Sequence, residues 1–487
     1  MNPITPEEIS HFLQSAESAI RDNDFRRALA ALDNVLENNP GHETALLYSA
    51  QCRHALGNYS ESEKLFKSLL GKYTGVAFYH HSLALLYNDW QKPEMAMVQA
   101  RHAVALMPGA AEAWAQLSLA YRSIGDGKNA LDAAEHAVKL SPTSDALKHR
   151  AYANLMLHRA DEASRDFADS MRTAFGGSSA PWRPEFINTT PAKLCHDIEQ
   201  YAYLHQLTGN PAFLNLSNSH RQFLGRLPPD IPRDQIITLT PAAMAELGHA
   251  YNRLHYFSEA SRVAGSAINT ERDFKQIEQD YHGRSPGITW IDDFLRPETL
   301  QALRRYCLEN TFWFDFRHPN GYLGALMENG FAAPLLFQIA EDLRRHLPEI
   351  FLDYPLFQMW AFKYDSSLQG IQMHADVAAV NLNFWITPNE ANLAPESGGL
   401  VIWNKEAPQD WQFQDYNSGS GDRQSRITEF LKSSGAERIT VPYRQNRAVL
   451  FNSDLFHSTD EIRFQEGYEN RRINITLLFG RRQTIAN

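Results

Sequence analysis

Residues 77–110, AFYHHSLALLYNDWQKPEMAMVQARHAVALMPGA, and residues 111–144, AEAWAQLSLAYRSIGDGKNALDAAEHAVKLSPTS, are two copies of one pattern. Leu83-Ala84-x-x-Tyr87 in the first returns as Leu117-Ser118-x-x-Tyr121 in the second. Ala96, Ala100, Ala103 and Pro108 return as Ala130, Ala134, Ala137 and Pro142, a period of thirty-four residues. Pro40 falls on the same phase, and Thr74 takes that position in the intervening copy. Apolar residues three and four apart predict amphipathic helices. Small residues where two helices cross let the backbones approach, and no copy buries its apolar face alone, so the copies must stack. Units are expected at 9–42, 43–76, 77–110 and 111–144, with a slightly shortened one from 145 to 176.

These spacings resemble the tetratricopeptide repeat, a helix-turn-helix unit. The resemblance implies an all-α solenoid over 1–176. Its concave face, with first-helix positions such as Phe78, His81, Asn88, Glu112 and Arg122, would recruit a peptide or protein. The face lacks the Lys/Asn/Arg clamp with which some repeats of the family hold a C-terminal carboxylate, so a chaperone-tail partner is not expected. The alternative is self-association into a homo-oligomer. Leu247-Gly248-x-x-Tyr251, followed by Ala260, Ala264 and Ala267, repeats the spacing and predicts an additional repeat-like hairpin over 241–280. Between the two stands 177–240, a helical insertion or linker bounded by Gly-, Ser- and Pro-rich stretches. Inside it, 191–201 reads as a helix with His196 and Glu199 one turn apart. A polar face docking a neighbouring domain explains that pair better than a second metal site, because no complementary ligand pair follows.

From residue 281 to 487 the pattern changes. Gly370-Ile371-Gln372-Met373-His374-Ala375-Asp376 holds a His-x-Asp pair. In an extended strand alternate side chains share a face, so His374 and Asp376 reach one point while Ala375 turns away. Much later, Leu455-Phe456-His457 brings another histidine to a strand end. Two imidazoles and a carboxylate occupy one face of an octahedral ion and leave other positions open. Short alternating stretches at 356–364, 380–387, 400–403, 438–443, 447–451 and 472–479 predict an antiparallel double-sheet jelly roll with flanking helices.

Over residues 286–482 this order resembles the Fe(II)/2-oxoglutarate-dependent oxygenase superfamily, nearest to its prolyl-hydroxylase-like branch. Three features carry the resemblance besides the His/Asp/His set. They are Tyr364 ahead of the pair, Gly398-Gly399-Leu400-Val401 between the ligand regions, and a basic residue on the strand after His457. The resemblance implies a double-stranded β-helix with a cupin-like barrel and Fe(II) held by His374, Asp376 and His457. It further implies 2-oxoglutarate as co-substrate, O2, and hydroxylation of a side chain. A basic residue then grips the far carboxylate of 2-oxoglutarate. Arg471 shares its face with Ile473, Ile475 and Leu477, whereas Arg472 shares its face with Asn474 and Thr476, which suits a polar cup. Arg472 is therefore assigned that role, in an Arg-x-Asn variant of the family's Arg-x-Ser. The interval from His457 to Arg472 is longer than in the family, which makes 465–468 a local insertion. Tyr364, Asn383 and Asn474 are the candidates for hydrogen bonds to the co-substrate, with Trp385 on the same face as Asn383. Zinc accepts the same donors; the tyrosine, glycine and arginine context favours iron.

A net charge of −11 and an isoelectric point near 5.9 argue against nucleic acid and anionic membranes as partners. Cys52, Cys195 and Cys307 have neither metal nor redox spacing, which suits a reducing cytoplasm. The first residues lack a basic stretch followed by an apolar one, so no signal peptide is expected, nor a spanning segment. The insertion at 404–437, with Trp411, Phe413 and Tyr416, is a candidate lid. Three functions compete: a hydroxylase whose repeats recruit its protein substrate, a small-molecule biosynthetic oxygenase with repeats used for assembly, and a repeat scaffold carrying an inactive barrel.

Overall fold

The computed structural model describes residues 5–177, 183, 186–248, 251–368, 371–408, 411 and 423–480. Within the expected lid over 404–437, residues 409, 410 and 412–422, Phe413 and Tyr416 among them, lie outside the described residues. The chain divides into two compact units, Met1–Asp166 and Phe167–Asn487.

The first unit is helical throughout. Its helices are α1 (Pro6–Arg21), α2 (Phe25–Asn38), α3 (Glu43–Ala55), α4 (Tyr59–Lys72), α5 (Ala77–Asp89), α6 (Pro93–Leu106), α7 (Ala111–Ser123), α8 (Gly127–Leu140), α9 (Ser144–Met156) and α10 (Ala160–Phe175). Thr5 opens α1 with a reciprocal capping box to Glu8, and Asp24, Asp126 and Thr143 cap later helices with their side-chain oxygens. Ala16, Ala28, Ala50, Ala84, Ala100 and Ala134 are all fully buried, so close helix approach rests on the missing side-chain volume the repeat pattern predicts.

Between the two helices of each hairpin the chain turns through a left-handed residue. These are Asn23, Gly57, Gln91, Gly125 and His158, with φ of 57°, 77°, 56°, 83° and 58°. The last falls one residue short of the period, as the shortened fifth unit requires. A Cβ on Gly57 or Gly125 would meet nothing within 4 Å, so the turn demands φ and not space. Gln91 takes this conformation with a side chain that is exposed. We expect Gln91→Gly to stabilise the solenoid by about 1 kcal/mol, read as a higher urea midpoint by circular dichroism; an unchanged or lower midpoint counts against this account of the turn.

The division between units falls within α10 and not at residue 176, because the C-terminal half of α10 belongs to the second core. Phe175 stacks on Phe314 at 3.7 Å between centroids, and Met171 lies against Gly330. The segment expected as a linker is structured as well. Helix α11 (Pro191–Thr208) buries most of its residues and packs on α12 (Pro211–Leu224). Among the described residues of 241–280 no further repeat-like hairpin is present. Helix α13 (Pro241–Leu247) has a single short run and stops at Gly248, with φ 89°. Beyond it Ala260, Ala264 and Ala267 lie in irregular chain, and the next helix is α14 (Phe274–Gly283). This irregular strap is tied down by side chains of α16 (Pro334–His346) and by Asn310, the residue that ends α15 (Pro297–Glu309). Gln338 donates to the carbonyls of Val263 and Gly265 and accepts from the Val263 amide, Asn310 brackets Ser258, and Asp342 accepts from the Ala267 amide. These side chains satisfy the backbone groups that a helix would otherwise pair.

Two larger antiparallel sheets, beside two short two-stranded ones, follow among the described residues. The first contains β1 (Ile288–Ile291), β2 (Leu323–Leu326), β3 (Leu356–Lys363), β4 (Val380–Trp385), β7 (Ala448–Asn452) and β9 (Ile473–Phe479), in the order β1-β7-β4-β9-β3-β2. The second joins β5 (Leu400–Glu406) to β6 (Arg438–Val441) on one side and β8 (Leu455–Thr459) on the other. Trp385, Val449 and Phe451 from the larger sheet share a core with Leu400, Ile402, Val441 and Leu455 from the smaller. Both faces of β4 are buried: Phe384 packs on Phe294, and Asn381, Asn383 and Trp385 face the other way. The 465–468 stretch, expected as an added loop, is tied inward: the Tyr468 hydroxyl donates to the Leu308 carbonyl at 2.7 Å and accepts from Lys363 Nζ at 2.8 Å.

Candidate metal centre

His374 and His457 face each other as a closed antiparallel pair. The His374 amide donates to the His457 carbonyl at 3.1 Å and the His457 amide to the His374 carbonyl at 2.9 Å. His457 belongs to β8, whereas His374 and Asp376 lie on a segment that makes only this isolated bridge and is not the continuous strand the sequence suggests. The alternation survives locally because Asp376 donates its amide to the Ser453 carbonyl at 3.2 Å, and Ala375 turns into an apolar cluster with Phe456 and Ile427.

The side chains converge accordingly. Ligand-capable atoms of His374, Asp376 and His457 all lie within 4.8 Å of one another, the group of this kind found among the described residues. Nδ1 of His374 faces its Gln372 carbonyl at 2.8 Å, and Nδ1 of His457 faces the Leu455 carbonyl at 3.1 Å. A carbonyl only accepts, so each Nδ1 carries a proton and each Nε2 is the ring nitrogen turned toward Asp376. His374 Nε2 is 3.8 Å from Asp376 Oδ1, and His457 Nε2 is 3.5 Å from Oδ2. Burial pushes the Asp376 carboxyl up, but His457, His374 and Asn381 outweigh it and hold the group below its ordinary value. This donor set fits a single divalent ion, Fe(II) or Zn(II), with open coordination positions.

Behind the triad lies a small cavity of about 30 Å³, lined by Trp360, Phe362, Tyr364, Asn383, Asn474 and Thr476 among others. That is room for roughly two waters. Next to it sits Arg472, fully buried, on the face assigned to it from alternation. Its Nε donates to the Gly398 carbonyl at 2.7 Å, and its guanidinium lies over Tyr364, Trp385 and Tyr443 at 4.9, 5.6 and 6.0 Å. Among the described residues it forms no ion pair, and Nη1 and the nearby Trp385 Nε1 are buried donors without a partner. A buried cation and two orphaned donors are costly unless an anion joins them. Burial lowers the Arg472 pKa and raises that of Tyr364. The Gly-Gly pair has a local cause: a Cβ on Gly399 would collide with the Val441 carbonyl, and Gly398 has φ 81°. Arg471 points elsewhere, donating from Nε to Glu199 at 2.6 Å with Asp365 beside it.

His196 and Glu199 do not meet. His196 is buried against Asp197, Trp313 and Tyr468, while Glu199 is taken by Arg471. Sequence reasoning missed Tyr443, whose hydroxyl donates to the Thr387 carbonyl, and the role of Asn381, which alternation places only on the polar face with Asn383 and which donates from Nδ2 to Asp376 Oδ2 at 2.6 Å. The alternation of Asn381 and Asn383 with apolar neighbours was the available signal for the second.

Residues 13–77 and residues 111–144 match two family profiles, each described as the tetratricopeptide repeat. The N-terminal solenoid is built of tetratricopeptide repeats. No curated protein matches the chain. Similar solved structures include MamA from residue 41 onward of Desulfovibrio magneticus RS-1, 18% identical over 35% of this chain and 96% of that one, with a TM-score of 0.32. TTC0263, a thermophilic tetratricopeptide protein of Thermus thermophilus, is 20% identical over 34% of this chain and 90% of its own, with a TM-score of 0.31. YrrB, a repeat protein described as having an unusual peptide-binding site, is 19% identical over 33% and 83%, with a TM-score of 0.29. No helix among the described residues is long and apolar enough to cross a membrane.

Desolvation and the neighbouring His457 ring push the His374 imidazole down to about 4. The unfolded chain takes up this proton near the ordinary histidine value, so the contribution is complete above that value and is lost as pH falls toward 4. We expect metal-free protein to lose stability over that window and His374→Gln to flatten the loss; parallel pH profiles for the two proteins would contradict it.

Proposed function

We propose that the second unit is a mononuclear Fe(II)- and 2-oxoglutarate-dependent oxygenase of the prolyl-hydroxylase-like type, on a double-stranded β-helix, to which the repeats bring a peptide or protein. The observation that carries this reading is the convergence of His374, Asp376 and His457 beside a caged, unpaired arginine. Fe(II) with 2-oxoglutarate and O2 supplies oxidative decarboxylation to succinate coupled to hydroxylation of a C–H bond. The chain's own part is positional. His374 and His457 hold their Nε2 atoms in place through their Nδ1 contacts, and Asp376 provides the one negative charge. Arg472, with Trp385 Nε1, offers two donors to the distal carboxylate of the co-substrate. Tyr364, Asn383 and Asn474 line the space between, and Trp360, Phe362 and Ile371 give it an apolar wall. A five-carbon diacid needs more room than the present cavity, so Phe362 or Trp360, both partly exposed, must yield on entry.

The second reading is a tetratricopeptide scaffold whose second unit keeps the residues without turnover. It draws on the two profile matches, both within the repeats, and on the Gly398 carbonyl already held by Arg472. Repeat arrays mediate protein or peptide contacts, which either reading uses.

Anaerobic Fe(II) followed by 2-oxoglutarate is expected to produce a visible charge-transfer band that His374→Ala abolishes. In air the wild-type chain should release succinate, and Arg472→Met should raise the half-saturating 2-oxoglutarate concentration roughly 10- to 100-fold. Absence of both band and succinate, with partner capture by the repeats intact, selects the scaffold.

A further inference from the structure

Asp376 is the first acceptor in a chain of side-chain amides that crosses the inner face of the larger sheet. Asn381 Nδ2 donates to Asp376 Oδ2 at 2.6 Å, and Asn383 Nδ2 donates to Asn381 Oδ1 at 2.5 Å. Asn383 Oδ1 in turn accepts from Asn474 Nδ2 and from the Thr476 hydroxyl, each at 2.8 Å, and Asn474 Nδ2 also reaches that hydroxyl at 3.0 Å. The register places Asn383 directly opposite Thr476 on the adjoining strand, so backbone pairing fixes the partners. All four side chains beyond Asp376 are at most 5% exposed.

The direction of the chain follows from chemistry alone. An ionised carboxylate only accepts, so Asn381 must turn its NH2 toward Asp376 and its carbonyl toward Asn383. Asn383 must then present its own NH2 to Asn381 and its carbonyl to β9. Three amides are thereby aligned head to tail toward one negative charge, an arrangement in which each bond polarises the next. The geometry leaves Asn474 Oδ1 as a buried acceptor without a partner at the far end.

We propose that Asn381 is a positioning residue for the metal-binding carboxylate and that Asn383, held by Asn474 and Thr476, fixes Asn381 in turn. This inference rests on the metal-centre reading above and extends it to Asn381, which holds the carboxylate and not the ion, and to a second role for Asn383 beside its place in the cavity lining. Tying one carboxylate oxygen to an amide restricts the rotation of Asp376 and leaves the other oxygen for the ion. Alternating Asn381 and Asn383 on one strand with Asn474 and Thr476 on the next is costly in a sheet interior unless the groups pair; the carboxylate anchors one end of the network, and Asn474 Oδ1 is the acceptor left open at the other.

The test uses the full-length protein and Co(II), whose visible absorption reports ligand geometry without turnover. Wild type sets the reference dissociation constant and spectrum, and His374→Ala is the control that loses both. If wild type binds neither Co(II) nor Zn(II), the metal-centre reading fails and takes this inference with it. Given wild-type binding, Asn381→Leu, near in shape but without a donor, is expected to bind Co(II) about 10- to 100-fold more weakly with an altered spectrum. Asn383→Leu is expected to weaken it less, in the same direction. A merely structural role would lower the melting temperature of the metal-free protein and leave the Co(II) constant and spectrum unchanged. Should Asn381→Leu fail to fold, Asn383→Leu decides alone. Wild-type affinity and spectrum in the folded variants overturn the proposal.

Discussion

One pair of backbone hydrogen bonds, exchanged between His374 and His457, is the constraint on which the second unit's chemistry depends. The two residues come from stretches far apart in the chain, and β8 anchors one of them through its pairing with β5. Because the peptide groups are locked opposite each other, both imidazoles leave the backbone from adjacent points on one face. Their rings stand 4.3 Å apart between centroids. The Nδ1 contacts then remove rotation, so the two Nε2 atoms have nowhere to look but toward Asp376. A cluster of this kind is assembled by sheet topology, with local sequence contributing only the residue types.

Charge is distributed along the same cavity with equal economy. Asp376 stands at one end, with a proton affinity reduced by two histidines and an amide. Arg472 stands near the other, and its partners are the carbonyls of Gly398 and Gly399 and three aromatic rings, none of which carries a negative charge. Cation–π contacts offset roughly 2 kcal/mol at a desolvated site, well short of the cost of burying an unpaired cation, which is several kcal/mol. The protein accepts a destabilised interior at this point, as is usual where an anionic ligand completes the balance.

Much of this was legible from residues alone. Buried alanines and turn residues recur at the repeat spacing from Ala16 to His158, and local periodicity is the signal that sequence carries best. The shared face of His374 and Asp376 could be read from alternation and His457 from its place at a strand end, and the same alternation gave Arg472 a different face from Arg471. It worked because each arginine precedes a strand whose faces differ sharply in polarity. Three features escaped. Ala260, Ala264 and Ala267 imitate a repeat, but no local pattern announces that Gln338, Asn310 and Asp342 will claim their backbone. The strand expected through His374 and Asp376 is a single bridge, since its neighbours were assigned by composition and its pairing is set by distant chain. The boundary placed at residue 176 ignored Phe167, Met171 and Phe175, whose apolar character serves a different core from that of the alanines before them.

The irregular strap from Tyr256 to Ala267 carries a consequence of its own. Its amides at 256, 258, 263 and 267 are closed by a threonine, an asparagine, a glutamine and an aspartate, and not by the ladder of a regular element. Such a segment has no cooperative unit to share its opening cost. Its resistance to solvent exchange and to proteolytic nicking is therefore set clamp by clamp, and one lost side chain would expose the few residues it holds while the helices beneath stay folded.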